Sequence, residues 1–145
     1  MVVIIKILFR SIFPIFVFLY QRTSGKVGGS MQGLRVLLPT TTGRKTGKKR
    51  ITPLGYFEHD GGYAIIASNA GFDTHPAWFH NLRSNPQVTL QIQDRQLAAI
   101  AEPAGPELRK QLWAKLVELA PGYRAYQKRT TREIPIVVLR PVSKT

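Results

Sequence analysis

The stretch LRVLLPTTTGRKTGKKRITPLGYF, residues 34–57, decides the fold, because two apolar segments in it flank a charged loop. Apolar residues recur with a period of two at 34–41 and again at 50–57, which predicts two strands. The residues EHDGG at 58–62 indicate a turn, so the apolar segment at 62–68 is predicted to pair back as a hairpin. Consecutive strands joined by short turns favour an antiparallel arrangement.

The rest of the chain adds further strands and a few helices. Residues 87–93 and 96–102 predict a second hairpin, and residues 134–140 predict a final buried strand. Helices are predicted over 75–84, with Thr74 as the capping residue, over 106–120, and as a turn or two over 123–129. Meandering strands with a few helices indicate an antiparallel sheet or barrel of the α+β class, and not a parallel wound sheet.

Composition limits the chemistry that the chain can perform. A length of 145 residues fits one domain, and the absence of cysteine excludes disulfides, thiolate metal sites and a cysteine nucleophile. The three histidines have neither the spacing nor the neighbouring carboxylates of a metal site, so no metal is expected. A formal net charge of +13 predicts an anionic partner, which is a phosphorylated ligand, a membrane surface or nucleic acid.

The loop between the first two strands is the strongest candidate for binding that anion. Five cations fall within the seven residues 44–50, framed by Gly43, Gly47 and neighbouring threonines. The loop is not a P-loop, because only three residues separate its glycines and Lys49 follows Lys48 where Ser or Thr is required. Glycine backbone N–H groups, threonine hydroxyls and cations together indicate a phosphate-binding loop. The alternative is a solvated basic hairpin tip.

Residues 2–20 are the most apolar stretch and predict a helix of a particular kind. Lys6, Arg10 and Pro14 interrupt the stretch, and the uninterrupted run after them, 15–20, is far shorter than the ~20 residues of a spanning helix. Their spacing of four places them on one face, opposite a broad apolar face. We therefore expect a helix that lies on a membrane surface or over the mouth of a pocket; simple packing on the core is the alternative. This interpretation divides the chain into residues 1–22 and a domain at 23–145.

Two pairs of residues at a spacing of three are candidates for the walls of a pocket. Trp78 and Asn81 share one face of the predicted 75–84 helix, where an aromatic ring and an amide can flank and hydrogen-bond a planar ligand. Tyr123 and Tyr126 share a face of the next short helix, and their hydroxyls can orient a carbonyl or nitro group. Core packing for Trp78 and a purely structural role for the tyrosines are the alternatives.

Six segments, taken in order, resemble the deazaflavin (coenzyme F420)-dependent nitroreductase and quinone reductase family: GKVGG at 25–29, LLPTTTGRKTGKKRITPL at 37–54, IIASNAG at 65–71, HPAWFHNLRSNPQV at 75–88, PGYRAYQKRT at 121–130 and REIPIVVLRP at 132–141. The resemblance implies a split β-barrel of the type that also binds flavin mononucleotide, mostly antiparallel, with flanking helices and an apolar N-terminal helix. It also implies an oxidoreductase that passes hydride from reduced coenzyme F420 to a lipophilic acceptor such as a quinone, a nitroheterocycle or an activated enone.

The resemblance further implies roles for individual residues. The cofactor's phosphate and glutamate tail would contact Arg44, Lys45, Thr46, Gly47 and Arg50, and its ring would lie against Pro53, Ala67, Ser68, Trp78 and Asn81. Ser68, near the transferred hydride, and the pocket tyrosines Tyr123 and Tyr126 are the implied catalytic residues. The chain departs from the best-known member of that family at Ala120, where that member has a further pocket tyrosine, and at Asn69, where it has a lysine.

Two rival functions use the same features. A split-barrel oxidoreductase with flavin mononucleotide would leave much of the basic loop unused, and a nucleic-acid module would need aromatic residues interleaved with the cations, which the sequence lacks. We therefore expect a monomer or homodimer with no nucleic-acid partner. Its expected location is the cytoplasm, at the inner face of the cell membrane.

Overall fold

Every strand pairing is antiparallel in the computed structural model, which describes residues 14–142. The strands within that range are β1 (Ser30–Met31), β2 (Leu34–Thr42), β3 (Lys49–Ile51), β4 (Leu54–His59), β5 (Gly62–Ile66), β6 (Gln87–Ile92), β7 (Arg95–Pro103) and β8 (Ile136–Pro141). Six of them close into a barrel in the order β2-β4-β5-β8-β7-β6, because β2 pairs with β4 and also with β6. The α+β split-barrel prediction is therefore confirmed.

Four α-helices flank the barrel in the described range: α1 (residues 14–23), α2 (Ala77–Ser84), α3 (Pro106–Leu119) and α4 (Tyr123–Lys128). Helix α1 continues past the apolar stretch at 2–20 and ends at residue 23. None of the helices between residues 14 and 142 is long and apolar enough to cross a membrane. Lys6 and Arg10, which define the predicted basic stripe, lie outside the described residues.

The barrel interior is filled by alternate residues of the strands and closed at one end by α2. Leu37, Leu90 and Val137 are almost fully buried there, because successive side chains of a strand point to opposite faces. Helix α2 packs Trp78 and Phe79 into the same cluster. The apolar residues that alternate along the predicted strands are thus the side chains that face the barrel interior.

The outer face of the barrel is covered in two places by helices. Leu112 and Leu116 of α3 pack on β4, β5 and β8. Tyr20 of α1 packs on Val36 and Leu38 of β2. The Tyr20 hydroxyl donates to the Val36 carbonyl at 3.0 Å and accepts from the Gln93 N–H at 2.7 Å, so α1 is tied to two strands.

Three local predictions are wrong. The strand predicted at 50–57 is two strands, β3 and β4, separated at Thr52 and Pro53. Helix α2 begins at Ala77 with Pro76 at its N-cap and no side-chain cap, and the Thr74 carbonyl instead accepts a hydrogen bond from the Asn69 amide. The strand predicted through residue 68 ends at Ile66. After it, Asn69, Ala70 and Gly71 all have positive φ and form a 3-10 turn, a backbone course that alternating hydrophobicity does not reveal.

Candidate active site

The basic loop is a compact turn at the end of β2. The Gly43 N–H donates to the Lys48 carbonyl and the Gly47 N–H donates to the Gly43 carbonyl, both at 2.8 Å. Gly47 has a φ of +71°, a conformation that suits glycine. The Lys48 N–H donates to Thr46 Oγ1 at 3.2 Å, which leaves the threonine hydroxyl proton available to a ligand. The loop is therefore preformed and not an extended tail of charges.

The cations of the loop face solvent without carboxylate partners. Arg44, Lys45 and Arg50 are exposed, and within residues 14–142 none of them forms an ion pair. Lys49 Nζ donates to Thr42 Oγ1 at 3.0 Å, so it already has a neutral partner. Exposed, unneutralised cations beside a fixed turn attract an anion and form charge-assisted hydrogen bonds with it.

Asn81 connects this loop to helix α2. Its Oδ1 accepts from the Arg44 N–H at 3.1 Å, and its Nδ2 donates to Thr41 Oγ1 at 3.4 Å. The side chain is only 6% exposed. Asn81, which the sequence suggests as a partner for the cofactor ring, therefore also fixes the start of the loop. One N–H of its amide and one lone pair of its Oδ1 remain available to a ligand.

The other residues predicted around the ring are mostly buried. Trp78 is 7% exposed and meets Phe79 edge-on, with ring centroids 6.3 Å apart. Ala67 is fully buried, and Pro53 is buried between β3 and β4. In this structure Trp78 packs in the core, as the alternative from the sequence allowed, so contact between its indole and a ligand stays a prediction.

Ser68 lies at the start of the left-handed turn that follows β5. Its carbonyl accepts from the Gly71 N–H at 2.9 Å, and its hydroxyl has no hydrogen-bond partner among the residues described. A side chain at Gly71 is excluded, because a Cβ there would lie 3.0 Å from the Tyr126 carbonyl oxygen. The turn that carries Ser68 is therefore in direct contact with α4.

Helix α4 presents its two tyrosines differently. Tyr123 is 5% exposed, and burial, with a smaller effect of Tyr126, raises its pKa to about 12. Tyr126 is half-buried, meets the Tyr123 ring edge-on at 5.5 Å and accepts a hydrogen bond from Gln32 Nε2. The Tyr123 hydroxyl is therefore protonated at neutral pH. Tyr126 is the more accessible of the two tyrosines.

Two histidines and an arginine near these elements have no role in the sequence-based prediction. The His75 and His80 rings lie 5.7 Å apart, and Arg132 Nη1 contacts His75 Nδ1 at 3.0 Å. Burial, followed by Arg132, His80 and Arg83, lowers the pKa of His75; burial, followed by Arg44 and Arg83, lowers that of His80. Arg44 of the basic loop thus acts on His80, and Arg132, which binds the Ser68 carbonyl, acts on His75.

The predicted residues thus form a connected set. Asn81 contacts the basic loop, His75 and Arg132 link α2 to the Ser68 turn, and that turn meets Tyr126. A separate groove of about 590 Å³ lies outside β2, β6 and β7 and contains none of the predicted site residues. Fixed cationic and neutral donors, with an amide and hydroxyls nearby, fit a planar cofactor that carries a phosphate and carboxylates.

Comparison with known proteins identifies the family of this chain. The sequence profile described as F420H(2)-dependent quinone reductase matches residues 13–141. An F420H(2)-dependent quinone reductase of Mycobacterium tuberculosis (strain ATCC 25618 / H37Rv) is 38% identical over 125 residues, 83% of this chain and 84% of the relative. A solved F420-H2-dependent reductase is 40% identical, with a TM-score of 0.66 over 72% of this chain and 93% of its own.

A second solved structure, described as a domain-swapped dimer, is 40% identical with a TM-score of 0.67, covering 72% of this chain and 79% of that chain. Fold and relatives together define a split-barrel oxidoreductase. The chain belongs to the F420H(2)-dependent quinone reductase family.

Proposed function

We propose that this protein reduces a lipophilic quinone with reduced coenzyme F420, and that the basic loop selects this cofactor. The observation that carries the proposal is the preformed turn at Gly43–Gly47, which displays Arg44, Lys45 and Arg50 without described carboxylate partners. Reduced coenzyme F420, when bound, supplies the hydride. The role of the loop is to bind the phosphate and the glutamate tail by charge-assisted hydrogen bonds.

The tyrosines of α4 support a quinone as the acceptor. A quinone oxygen becomes anionic as the ring is reduced, so a hydroxyl donor aimed at it binds more strongly in the transition state. Gln32 Nε2 donates to Tyr126, which leaves the Tyr126 proton free to point toward the acceptor. Ala120 is small where the nitroreducing member of the family has a tyrosine. We expect this difference to widen the acceptor end of the site and to favour a bulky ring over a nitroimidazole.

Helix α1 supports a position at the membrane surface. Ile15 and Phe18 are each 59% exposed, and the Arg22 guanidinium lies 5.8 Å from the centre of the Phe18 ring. An exposed apolar face with adjacent cations, on a protein of net charge +13, fits the interface of an anionic bilayer, where quinones also partition.

The first experiment compares cofactors and acceptors. Fluorescence titration should show tighter binding of coenzyme F420 than of flavin mononucleotide, and a menaquinone analogue should oxidise the reduced cofactor faster than a bicyclic nitroimidazole does. Preference for flavin mononucleotide would favour the rival flavoprotein. Robust nitroimidazole turnover without quinone activity would overturn the acceptor assignment, and a salt-steep affinity for oligonucleotides would favour a nucleic-acid module.

The second experiment tests the membrane position by sedimentation with anionic liposomes. The full chain should pellet with the vesicles, and a chain that starts at Thr23 should remain in solution. Equal sedimentation of the two would place the binding surface in the barrel. Sedimentation equilibrium of the full chain without vesicles then distinguishes a monomer from a homodimer, the assembly that the related domain-swapped structure supports.

A further inference from the structure

The guanidinium of Arg132 binds four acceptors on one segment of chain. Its Nε donates to the Phe72 carbonyl at 2.9 Å, its Nη1 to the Ala67 carbonyl at 3.2 Å, and its Nη2 to the Ser68 carbonyl at 2.8 Å. The fourth contact, from Nη1, reaches His75 Nδ1 at 3.0 Å. These partners are 57 to 65 residues away in sequence, so the side chain joins distant parts of the chain.

The segment it binds has an unfavourable local conformation. Asn69, Ala70 and Gly71 have φ values of +47°, +54° and +78°. Left-handed backbone is disfavoured for residues other than glycine, so outside interactions must hold this turn in place. Arg132 supplies charge-assisted hydrogen bonds on both sides of it, at Ser68 and at Phe72.

The main chain of Arg132 is tied to the helix that carries the tyrosines. Gln127 of α4 donates from Nε2 to the Arg132 carbonyl at 2.8 Å and accepts the Ile134 N–H at 3.0 Å. Arg109 of α3 donates to both the Gln127 side chain and the Ile134 carbonyl. One residue therefore bonds α4 through its backbone and the Ser68 turn through its side chain.

We propose that Arg132 is a positioning residue that sets the distance between Ser68, on the cofactor side, and the tyrosines of α4, on the acceptor side. The inference rests on the proposed function for the roles of Ser68 and Tyr126. Hydride transfer requires donor and acceptor within a few tenths of an ångström of the reactive geometry, and misplacement by about 1 Å reduces the rate by about 100-fold. In this role Arg132 acts through the Ser68 turn and α4, and not by contact with the cofactor or the acceptor.

Arg132 also determines the state of His75. Because the guanidinium donates to Nδ1, that nitrogen accepts, and the imidazole proton resides on Nε2. His75 is therefore a neutral ring with a single N–H donor at a defined position. The ¹⁵N chemical shifts of this ring report the contact in the protein without cofactor.

The test compares Arg132→Lys and Arg132→Ala with the control Arg140→Lys. Lysine keeps the positive charge of Arg132 but cannot bind four acceptors at once. Arg140 serves as the control because its partner, Glu102, is exposed and lies 3.4 Å away. In the protein without cofactor, we expect amide hydrogen exchange of residues 68–75 to accelerate at least about tenfold in both Arg132 variants. The Nδ1 shift of His75 should move in Arg132→Ala, and the control should match the parent in both measurements.

With coenzyme F420 and a quinone, Arg132→Lys should lose about 10- to 100-fold in kcat, while the dissociation constant of the cofactor changes less than about threefold. Methylguanidinium should partly restore kcat in Arg132→Ala. A lowered melting temperature with parent-like kcat, or unchanged exchange at 68–75, would overturn the proposal.

Cofactor binding by the parent protein distinguishes a failure of the proposed function from a failure of this inference. A parent that does not bind coenzyme F420 refutes the proposed function on its own. The exchange and ¹⁵N measurements still decide whether Arg132 fixes the turn, because neither needs the cofactor. Accelerated exchange then supports the positioning role, and parent-like exchange rejects it.

Discussion

Lys45 and Arg50 are the residues through which the cofactor proposal is tested most directly. Both are exposed and form no ion pair with a described residue, so their replacement by alanine leaves no unpaired partner behind. Each substitution should weaken coenzyme F420 binding by about 1.5–3 kcal/mol, the range for hydrogen bonds to charged groups. Fluorescence titration measures this, with the exposed Lys110→Ala as control. Parent-like affinity in the double variant would exclude the loop as the binding site.

The single substitution Tyr126→Phe tests the acceptor side of the site. Removing the hydroxyl should lower kcat about 10- to 100-fold if it donates to the reduced oxygen, because that bond strengthens in the transition state. Cofactor affinity should be unchanged. The control is Tyr63→Phe, which removes a hydroxyl that accepts from Arg95 at 3.4 Å. A Tyr126→Phe enzyme as fast as the parent would show that the hydroxyl takes no part in the reaction.

Residue identity could be predicted from the sequence better than residue contacts. The basic loop, Asn81 and the α4 tyrosines were recognisable from composition and spacing. The contacts of Arg132 were not recognisable, because its acceptors are backbone carbonyls and a histidine at least 57 residues away. Every residue has a backbone carbonyl, so the sequence does not indicate which one accepts a hydrogen bond. For the same reason, the second role of Asn81, as an anchor of the loop, required the structure.

At the scale of elements, the side chain of Tyr20 attaches helix α1 to the barrel through two hydrogen bonds. Tyr20 is 1% exposed and its hydroxyl satisfies the Val36 carbonyl and the Gln93 N–H. Tyr20→Phe should therefore lower the free energy of unfolding by about 1–3 kcal/mol, since it leaves a buried carbonyl without its partner. Urea denaturation measures the loss, with Tyr63→Phe again as control. No change in stability would mean that α1 is held by apolar contacts alone.

Elements with clear periodicity were predicted well, and the short ones were not. The hairpin of β6 and β7 and helix α3 agree closely with the periodic segments. The strand predicted at 50–57 is divided at residues 52–53 into β3 and β4. Strands β1 and β3 have two and three residues, too few for a period to be visible. The local pattern left a sheet and a barrel both open, because which strands pair across the sheet depends on tertiary contacts. The family resemblance alone implied that the barrel closes.

For the whole molecule, the two histidines near Arg132 predict a loss of stability in mild acid. Burial and the surrounding cations, Arg132, Arg83 and Arg44, lower both pKa values below 6.5, so the folded state resists protonation. Above pH 6.5 both states are largely neutral and no destabilisation results. As the pH falls below 6.5, the unfolded chain takes up protons that the folded chain does not, and the free energy of unfolding decreases.

Urea denaturation between pH 7.5 and 5 measures how the free energy of unfolding changes with pH. The double variant His75→Asn, His80→Asn should show a flatter profile, and His59→Asn, in the β4–β5 hairpin away from the cluster, should keep the slope of the parent. An equally steep profile in the double variant would assign the acid sensitivity to other groups.

The position of β2 in the barrel has a consequence for folding kinetics. This nine-residue strand pairs with β1, β3 and β4, its near neighbours in sequence, and also with β6, where Pro39 lies opposite Leu90. The last pairing must close a loop of about fifty residues, and such non-local contacts slow folding toward the millisecond-to-second range. Until that closure, backbone N–H and C=O groups along one edge of β2 are unpaired, and two nascent chains can exchange strands there before either barrel closes.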